Sequence, residues 1–166
     1  MIISESIDKQ KIWDLLSEVL DPEVPVLNVV ELGIVRDVII QGNRIEIVIT
    51  PTYSGCPAMK VIEDDILGTL KSGGFSEIKI RTIISPAWTT DWIKEEAKEK
   101  LRIYGIAPPE KSTADKSSIT GKPKNLSCPR CGSKQVDMIS QFGSTACKAL
   151  YRCISCREPF DYFKCL

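Results

Sequence analysis

The sequence of 166 residues contains no histidine. Histidine is the usual general base that activates a serine or cysteine nucleophile, so Ser-His and Cys-His catalytic arrangements are excluded within one chain. Metal sites that depend on imidazole ligands are excluded for the same reason. The sequence therefore argues against most hydrolase and transferase chemistry.

Long apolar runs are also missing. No run of eighteen apolar residues is present, and residues 1–5 lack the basic segment and apolar stretch of a secretion signal. The seven cysteines are an odd number, and four of them form two C-x-x-C pairs. In a chain that is not exported, this pattern indicates metal binding more than disulfides. We therefore expect a cytoplasmic protein without a membrane partner.

What the sequence does contain indicates two globular modules. Hydrophobic residues make up 43% and charged residues 27%, which is typical of a folded chain. Residues 1–105 hold 12 basic and 17 acidic side chains, whereas residues 106–166 hold 10 and 5. We predict an α+β domain over residues 1–105, a linker over residues 106–127 and a small zinc ribbon over residues 128–166.

Hydrophobic periodicity predicts the elements of the first domain, in the order helix, strand, strand, helix, strand, helix. This order is typical of a small three-stranded sheet with packed helices. Ser4 or Ser6 is the expected N-cap of the first helix. Gly42 and Asn43 predict a hairpin turn between the first two strands. The predicted ranges are residues 4–20, 34–40, 45–49, from 57 to Gly73, 77–84 and 90–104.

The segment at residues 50–57, Thr-Pro-Thr-Tyr-Ser-Gly-Cys-Pro, joins the second strand to the second helix. It places Cys56 at a helix N-terminus, where backbone N–H groups and the helix dipole favour a thiolate. The thiolate is the form that binds metal or attacks an electrophile. The alternative is a buried thiol that only fills space, since unpaired cysteines are often buried.

Two carboxylates, Asp21 and Glu23, lie in the segment Asp-Pro-Glu-Val-Pro at residues 21–25. Its prolines end the first helix and hold the chain extended or turned. The carboxylates are either part of a site or solvated charges at a helix stop. Trp88 and Trp92, near the start of the last predicted helix, are likewise either core residues or exposed anchors for a partner.

The strongest chemical signal is the pair of C-x-x-C knuckles near the C-terminus. Four thiolates form a closed tetrahedral site, which predicts a structural metal. A module of about forty residues is too small to fold without such a metal. Zinc is the expected occupant, with iron as the alternative. The ligands are Cys128, Cys131, Cys153 and Cys156.

Other features of the tail carry less information. We predict strands near residues 136–142 and 149–152. Cys147 and Cys165 are buried or incidental thiols, a redox pair or alternative ligands. The aromatics Phe160, Tyr162 and Phe163 surround Asp161 without a dense Lys/Arg stripe, so nucleic-acid binding is not favoured.

These motifs resemble the metal-sulfur cluster biosynthesis family, whose members include SufT-like proteins. Residues 21–25, Leu-Gly-Ile-Val at residues 32–35 and residues 50–57 carry the resemblance. The tail resembles one branch, PaaD, which accompanies the phenylacetyl-CoA 1,2-epoxidase of aerobic phenylacetate degradation. The tail motifs are Cys-Pro-Arg-Cys-Gly-Ser at residues 128–133 and Phe-Gly-Ser-Thr-Ala-Cys-Lys-Ala-Leu-Tyr-Arg-Cys at residues 142–153.

The resemblance implies an accessory protein, not an enzyme. It would mature or repair the iron-sulfur cluster of the epoxidase's reductase component or the di-iron site of its oxygenase component, and those components would be its partners. Cys56 would hold iron or a cluster transiently. Clusters normally take four ligands, so a second copy in a homodimer, a client thiol or a small thiol would supply others. The polar site around Cys56 would consist of Asp21, Glu23, Thr50 and Thr52.

Two other functions stay open. The protein could be a non-catalytic adaptor that docks the epoxidase to assembly machinery through its tail and tryptophans. It could also be a thiol-dependent acyl transferase or hydrolase that uses Cys56 with a carboxylate.

Overall fold

The computed structural model describes residues 7–110 and 125–164. Contacts divide the chain into two compact units, one ending at Trp88 and the other beginning at Thr89. The last helix of the predicted first domain thus belongs to the second unit. Whether the chain divides into independently folding parts at residues 105 and 128 stays a prediction.

The first unit is built on a three-stranded sheet, as predicted. Strands β1 (Val35–Gln41) and β2 (Arg44–Ile49) are antiparallel and joined by the Gly42–Asn43 turn, where Gly42 has a φ of 60°. Strand β3 (Glu77–Thr82) runs parallel to β2 on its other side. Helix α2 (Ala58–Ser72) provides the crossover that a parallel pair requires.

Helices α1 (Lys9–Leu16) and α2 pack against this sheet and against each other. The apolar positions of β2 alternate at its start because one face of the strand meets the helices. The core side chains from these elements are fully buried: Ile12, Leu16, Ile45, Ile47, Ile49, Ile62, Ile66 and Leu70. Burial of the central strand fixes the position of the loop that follows Ile49.

The first helix is shorter than predicted. Its N-cap is Asp8, whose Oδ1 accepts the N–H of Gln10 at 2.9 Å, and the predicted caps at Ser4 and Ser6 lie outside the described residues. The helix ends at Leu16 rather than residue 20. The N–H of Val29 donates to the carbonyl of Val19 at 2.9 Å, so this stretch pairs with the following loop instead of continuing the helix.

The second unit combines α3 (Glu95–Tyr104) with a sheet of order β4-β7-β6-β5. A 3-10 turn, Thr90–Trp92, precedes α3, so the predicted helix over residues 90–104 begins late. Gly105 ends α3 in a left-handed conformation, as its position predicted. The sheet strands are β4 (Ile106–Ala107), β5 (Val136–Ser140), β6 (Lys148–Cys153) and β7 (Pro159–Phe163).

Strands β4 and β7 were not predicted from the sequence. Strand β4 has only two residues before Pro108, and β7 begins with a proline, which is rare inside a sheet but tolerated at the first position of a strand. Strand β7 pairs with β4 on one side and β6 on the other, and its aromatic residues are buried: Phe160, Tyr162 and Phe163. The tail aromatics are therefore core residues of the ribbon.

Candidate functional site

The Cys56 loop leaves the carboxyl end of the central strand β2. The N–H of Thr50 donates to the carbonyl of Ile34 at 2.9 Å, which fixes the start of the loop. The N–H of Cys56 donates to the carbonyl of Tyr53 at 3.3 Å and closes a turn. Gly55 within this turn has a φ of 78°, a conformation that strains other residues. Cys56 is therefore held half-buried just before α2.

Asp21 shapes the loop that carries the neighbouring carboxylates. Its side chain is 6% exposed, and its Oδ1 accepts the N–H groups of Glu23 and Val24, each at 2.8 Å. Asp21 is thus a turn-capping residue as well as a charge, which the helix-stop interpretation did not foresee. Glu23 is only partly buried.

Both carboxylates act on the Cys56 thiol. Burial raises the pKa of Cys56, while hydrogen bonds from the Ala58 N–H and the Tyr53 side chain lower it, and the charges of Glu23 and Asp21 raise it further. The net direction is upward, so the neutral thiol is favoured. The backbone donor at the helix N-terminus does lower the pKa, as expected, but burial, the largest cause, and the charges of the two carboxylates outweigh it.

The predicted threonines flank this arrangement in sequence. Thr50 is 1% exposed, and its Oγ1 has no hydrogen-bond partner within residues 7–110 and 125–164. Thr52 is partly exposed in the loop. Tyr53, which sequence reasoning overlooked, contacts the thiol because a tight turn brings it back to Cys56. The sequence Tyr-Ser-Gly-Cys, with glycine in the third position, is typical of a tight turn and could have predicted that Tyr53 lies close to Cys56.

The second candidate site is the predicted four-cysteine cluster. The Sγ atoms of Cys128, Cys131, Cys153 and Cys156 lie within 4.8 Å of one another. Two of the separations are 3.7 Å, for Cys128 and Cys156, and 3.5 Å, for Cys131 and Cys153. A tetrahedral zinc with Zn–S bonds of about 2.3 Å separates its sulfurs by about 3.8 Å. The four cysteines fit a zinc ion.

Backbone groups of the knuckles donate hydrogen bonds to these sulfurs and so favour the thiolate form, which binds a cation. The N–H of Cys156 donates to Cys153 Sγ at 3.5 Å, and this is the largest of several hydrogen bonds that together lower the pKa of Cys153 to about 6. The first knuckle turns through Gly132 at a φ of 75°. The second turns at the equivalent position through Arg157, at a φ of 65°.

The remaining candidates lie apart from both sites. Cys147 is buried, with its Sγ 3.1 Å from Thr145 Oγ1, and it is not among the four clustered cysteines. Cys165 lies outside the described residues. Trp88 is a core residue: it is 5% exposed, and its Nε1 donates to the carbonyl of Leu32 at 2.9 Å. Trp92 is partly exposed.

None of the helices in the described ranges is long and apolar enough to span a membrane.

Two family models match the chain. Residues 9–76 match the iron-sulfur cluster assembly protein family, and residues 112–164 match the PaaD zinc beta ribbon domain. The first match contains the Asp21 loop and the Cys56 loop, and the second contains all four clustered cysteines.

Curated proteins from three bacteria are similar in sequence. A protein of Escherichia coli K12, provisionally named as a component of 1,2-phenylacetyl-CoA epoxidase, is 51% identical over 94% of this chain and 92% of its own length. An Fe-S protein maturation auxiliary factor of Porphyromonas gingivalis is 33% identical over 56% of this chain and 90% of its own. The Bacillus subtilis factor YitW is 33% identical over 57% and 94%.

Solved structures resemble the first part of the chain. A domain of unknown function, DUF59, from Bacillus anthracis aligns with a TM-score of 0.54 at 31% identity, covering 57% of this chain and 92% of that one. A conserved hypothetical protein from Thermotoga maritima aligns with a TM-score of 0.51 at 28% identity, covering 60% and 98%.

Proposed function

The chain belongs to the iron-sulfur cluster assembly protein family, in the branch with a PaaD zinc ribbon, and we propose that it matures or repairs metal centres of a phenylacetyl-CoA epoxidase. In this proposal it is an accessory protein and does not oxidise the substrate. Its client is either the reductase component, which contains an iron-sulfur cluster, or the oxygenase component, which contains a di-iron site.

The observation that carries the proposal is the half-buried Cys56 thiol just before α2, which is close enough to two carboxylates for their charges to act on it. Glu23 and Asp21 both raise the pKa of this thiol, so negative charge is concentrated around it. A cation that binds there gains from both carboxylates and displaces the thiol proton. Thr50 Oγ1, buried and without a hydrogen-bond partner in the described ranges, adds a hydroxyl at the start of the same loop.

A site with a single thiol suits a carrier better than a storage protein. Clusters are normally held by four cysteines, so Cys56 supplies one ligand, and the remaining ligands come from a second copy, a client or a small thiol. Iron or a cluster bound in this way leaves readily when a client offers a full ligand set. The cargo is thus held weakly enough to be transferred.

The four-cysteine site has the opposite character. Its sulfurs leave no open coordination position, and its ligands are spaced for one zinc ion. We assign zinc there as a structural metal that stabilises the ribbon. Cargo would therefore bind at Cys56 and not at the ribbon.

The acyl transferase or hydrolase alternative loses support from the Cys56 environment. A nucleophilic cysteine needs a lowered pKa or an adjacent base such as histidine. Burial instead raises the pKa of Cys56, and the chain has no histidine.

Anaerobic metal analysis tests the carrier proposal. Zinc, iron and sulfide per chain are measured before and after cluster reconstitution in wild type, Cys56→Ser and Cys147→Ser, the last removing a thiol outside both sites. The proposal expects one zinc in all three proteins and added iron only in wild type and Cys147→Ser. Equal iron in Cys56→Ser would refute the Cys56 cargo site and leave the adaptor role.

A further inference from the structure

The ribbon sheet has an open edge at β5. The sheet order β4-β7-β6-β5 places β5 last, and no strand in the described part of the chain pairs with its outer side. An edge strand presents unpaired N–H and C=O groups that can accept another strand. The identity of the outward groups follows from the register of β5 against β6.

The outward backbone groups belong to Val136 and Met138. The N–H of Ile154 donates to the carbonyl of Gln135 at 2.8 Å, so the backbone of Gln135 faces β6. Val136 pairs with Cys153 and Met138 with Tyr151 in this antiparallel register. Because hydrogen-bonded and non-hydrogen-bonded pairs alternate, Asp137 also faces β6, whereas Val136 and Met138 face the open edge.

Large apolar side chains accompany this edge. Met138 is 41% exposed and Ile139 54% exposed on β5 itself, and Phe142 beyond its end is 60% exposed. Ile154, which follows the paired strand, is 51% exposed. Soluble proteins do not usually concentrate such side chains at a sheet edge, where they invite association.

The size of this patch indicates the kind of partner. Only Met138 and Ile139 lie on β5 itself, and successive side chains of a strand point to opposite faces, so neither face offers the roughly 800 Å² per partner that a stable complex buries. Side-chain burial alone is thus too small for a stable dimer of this chain. Main-chain hydrogen bonds from an added strand would supply the remaining affinity.

The irregular pairing of β5 limits what can be added. The register shifts between Met138 and Ser140, so regular pairing with β6 is interrupted at Ile139. A bulge of this kind bends an edge strand and limits indiscriminate pairing. The regular edge is therefore short, and it fits one short extended segment.

We propose that the open edge of β5 docks an extended segment of an epoxidase component, which adds to the ribbon sheet as a further strand next to Val136 and Met138. The inference rests on the proposed function, because that function supplies the partner. It assigns the ribbon to client recognition, whereas Cys56 carries cargo.

The test uses the full chain with the purified oxygenase and reductase components of the phenylacetyl-CoA epoxidase. Binding is measured by calorimetry, and amide exchange is read at single residues. We expect one component to bind and to slow exchange at Val136 and Met138, with little change at Asp137, which β6 already protects. Slowed exchange at Val136 and Met138 in the free protein would overturn the proposal, because the chain itself would then cover the edge.

Two variants and one control make the result specific. Met138→Pro removes an outward N–H, and Ile139→Lys changes the apolar patch without altering the backbone. Each is expected to weaken binding about tenfold while retaining one zinc per chain. Ile103→Lys changes a side chain on α3 that is 74% exposed and should bind like wild type.

The failures are distinguishable. Binding that leaves β5 amides unprotected and is insensitive to Ile139→Lys would overturn the docking edge alone. Absence of binding to both components would overturn the docking edge together with the proposed partner. If β5 binds a component but iron binding does not depend on Cys56, only the cargo role would be overturned.

Discussion

Asp21 accepts the backbone N–H of Val24 through Oδ1 at 2.8 Å, so a carboxylate that raises the pKa of Cys56 also shapes its own loop. The charge of Glu23 also raises the pKa of this thiol, but Glu23 is only partly buried, whereas Asp21 is 6% exposed. The two acidic side chains should therefore respond differently to substitution.

Removal of the Asp21 carboxylate should destabilise the fold. Asp21→Ala leaves the N–H groups of Glu23 and Val24 without their acceptor in a buried turn, at a cost of about 1–3 kcal/mol. Glu23→Ala should cost much less because Glu23 is only partly buried. Urea denaturation followed by tryptophan fluorescence compares the two variants. Equal losses would contradict the capping role.

The Cys56 thiol should react slowly at neutral pH. Burial raises its pKa, so at any given pH a smaller fraction is the reactive thiolate than for an ordinary cysteine, whose pKa is about 8.5. Glu23→Gln removes one negative charge, lowers the pKa and should speed alkylation severalfold at pH 8. Peptide-resolved iodoacetamide labelling across pH measures this, with Asp37→Asn as the control. A pH profile unchanged by Glu23→Gln would show that this carboxylate does not act on the thiol.

The sequence predicted the central strand, the clustering of the four cysteines and the position of Cys56 before a helix. These features depend on local sequence patterns. The patterns are the alternation of Ile45, Ile47 and Ile49 and the spacing of the cysteine pairs. The net direction of the Cys56 pKa shift could not be predicted from the sequence, because it depends on burial and on charges from a loop more than thirty residues away. Strand β7 was missed because its pairing with β4 is set by tertiary contacts.

Removal of zinc should unfold the ribbon. Cys153→Ser takes away a buried ligand whose pKa is lowered to about 6, and structural zinc contributes about 10 kcal/mol or more to folding of small modules. We expect loss of bound zinc and of ordered amide signals for β5–β7, with the first unit unchanged. Ser155→Ala is the control for a change in the same knuckle. Retention of the ribbon signals without zinc would contradict a structural role for the metal.

A Cβ atom should strain both knuckle turns, so adding one at Gly132 and removing one at Arg157 should have opposite effects on stability. Gly132→Ala forces a side chain into a left-handed conformation and should destabilise the ribbon by about 1 kcal/mol. Arg157→Gly relieves the same strain and should stabilise it by up to about 1 kcal/mol. Arg157→Ala, which keeps the Cβ, is the control. Thermal unfolding of the zinc-bound protein measures all three, and shifts of the same sign would refute the strain argument.

The central claim is that Cys56 carries metal to the epoxidase. Cells that lack this protein but express the epoxidase are complemented with wild type or Cys56→Ser at matched protein levels, and epoxidase activity and its bound iron are measured in the same extracts. The account predicts that Cys56→Ser, although folded and zinc-bound, leaves the epoxidase poorly active and deficient in iron. Full activity and full iron with Cys56→Ser would contradict it.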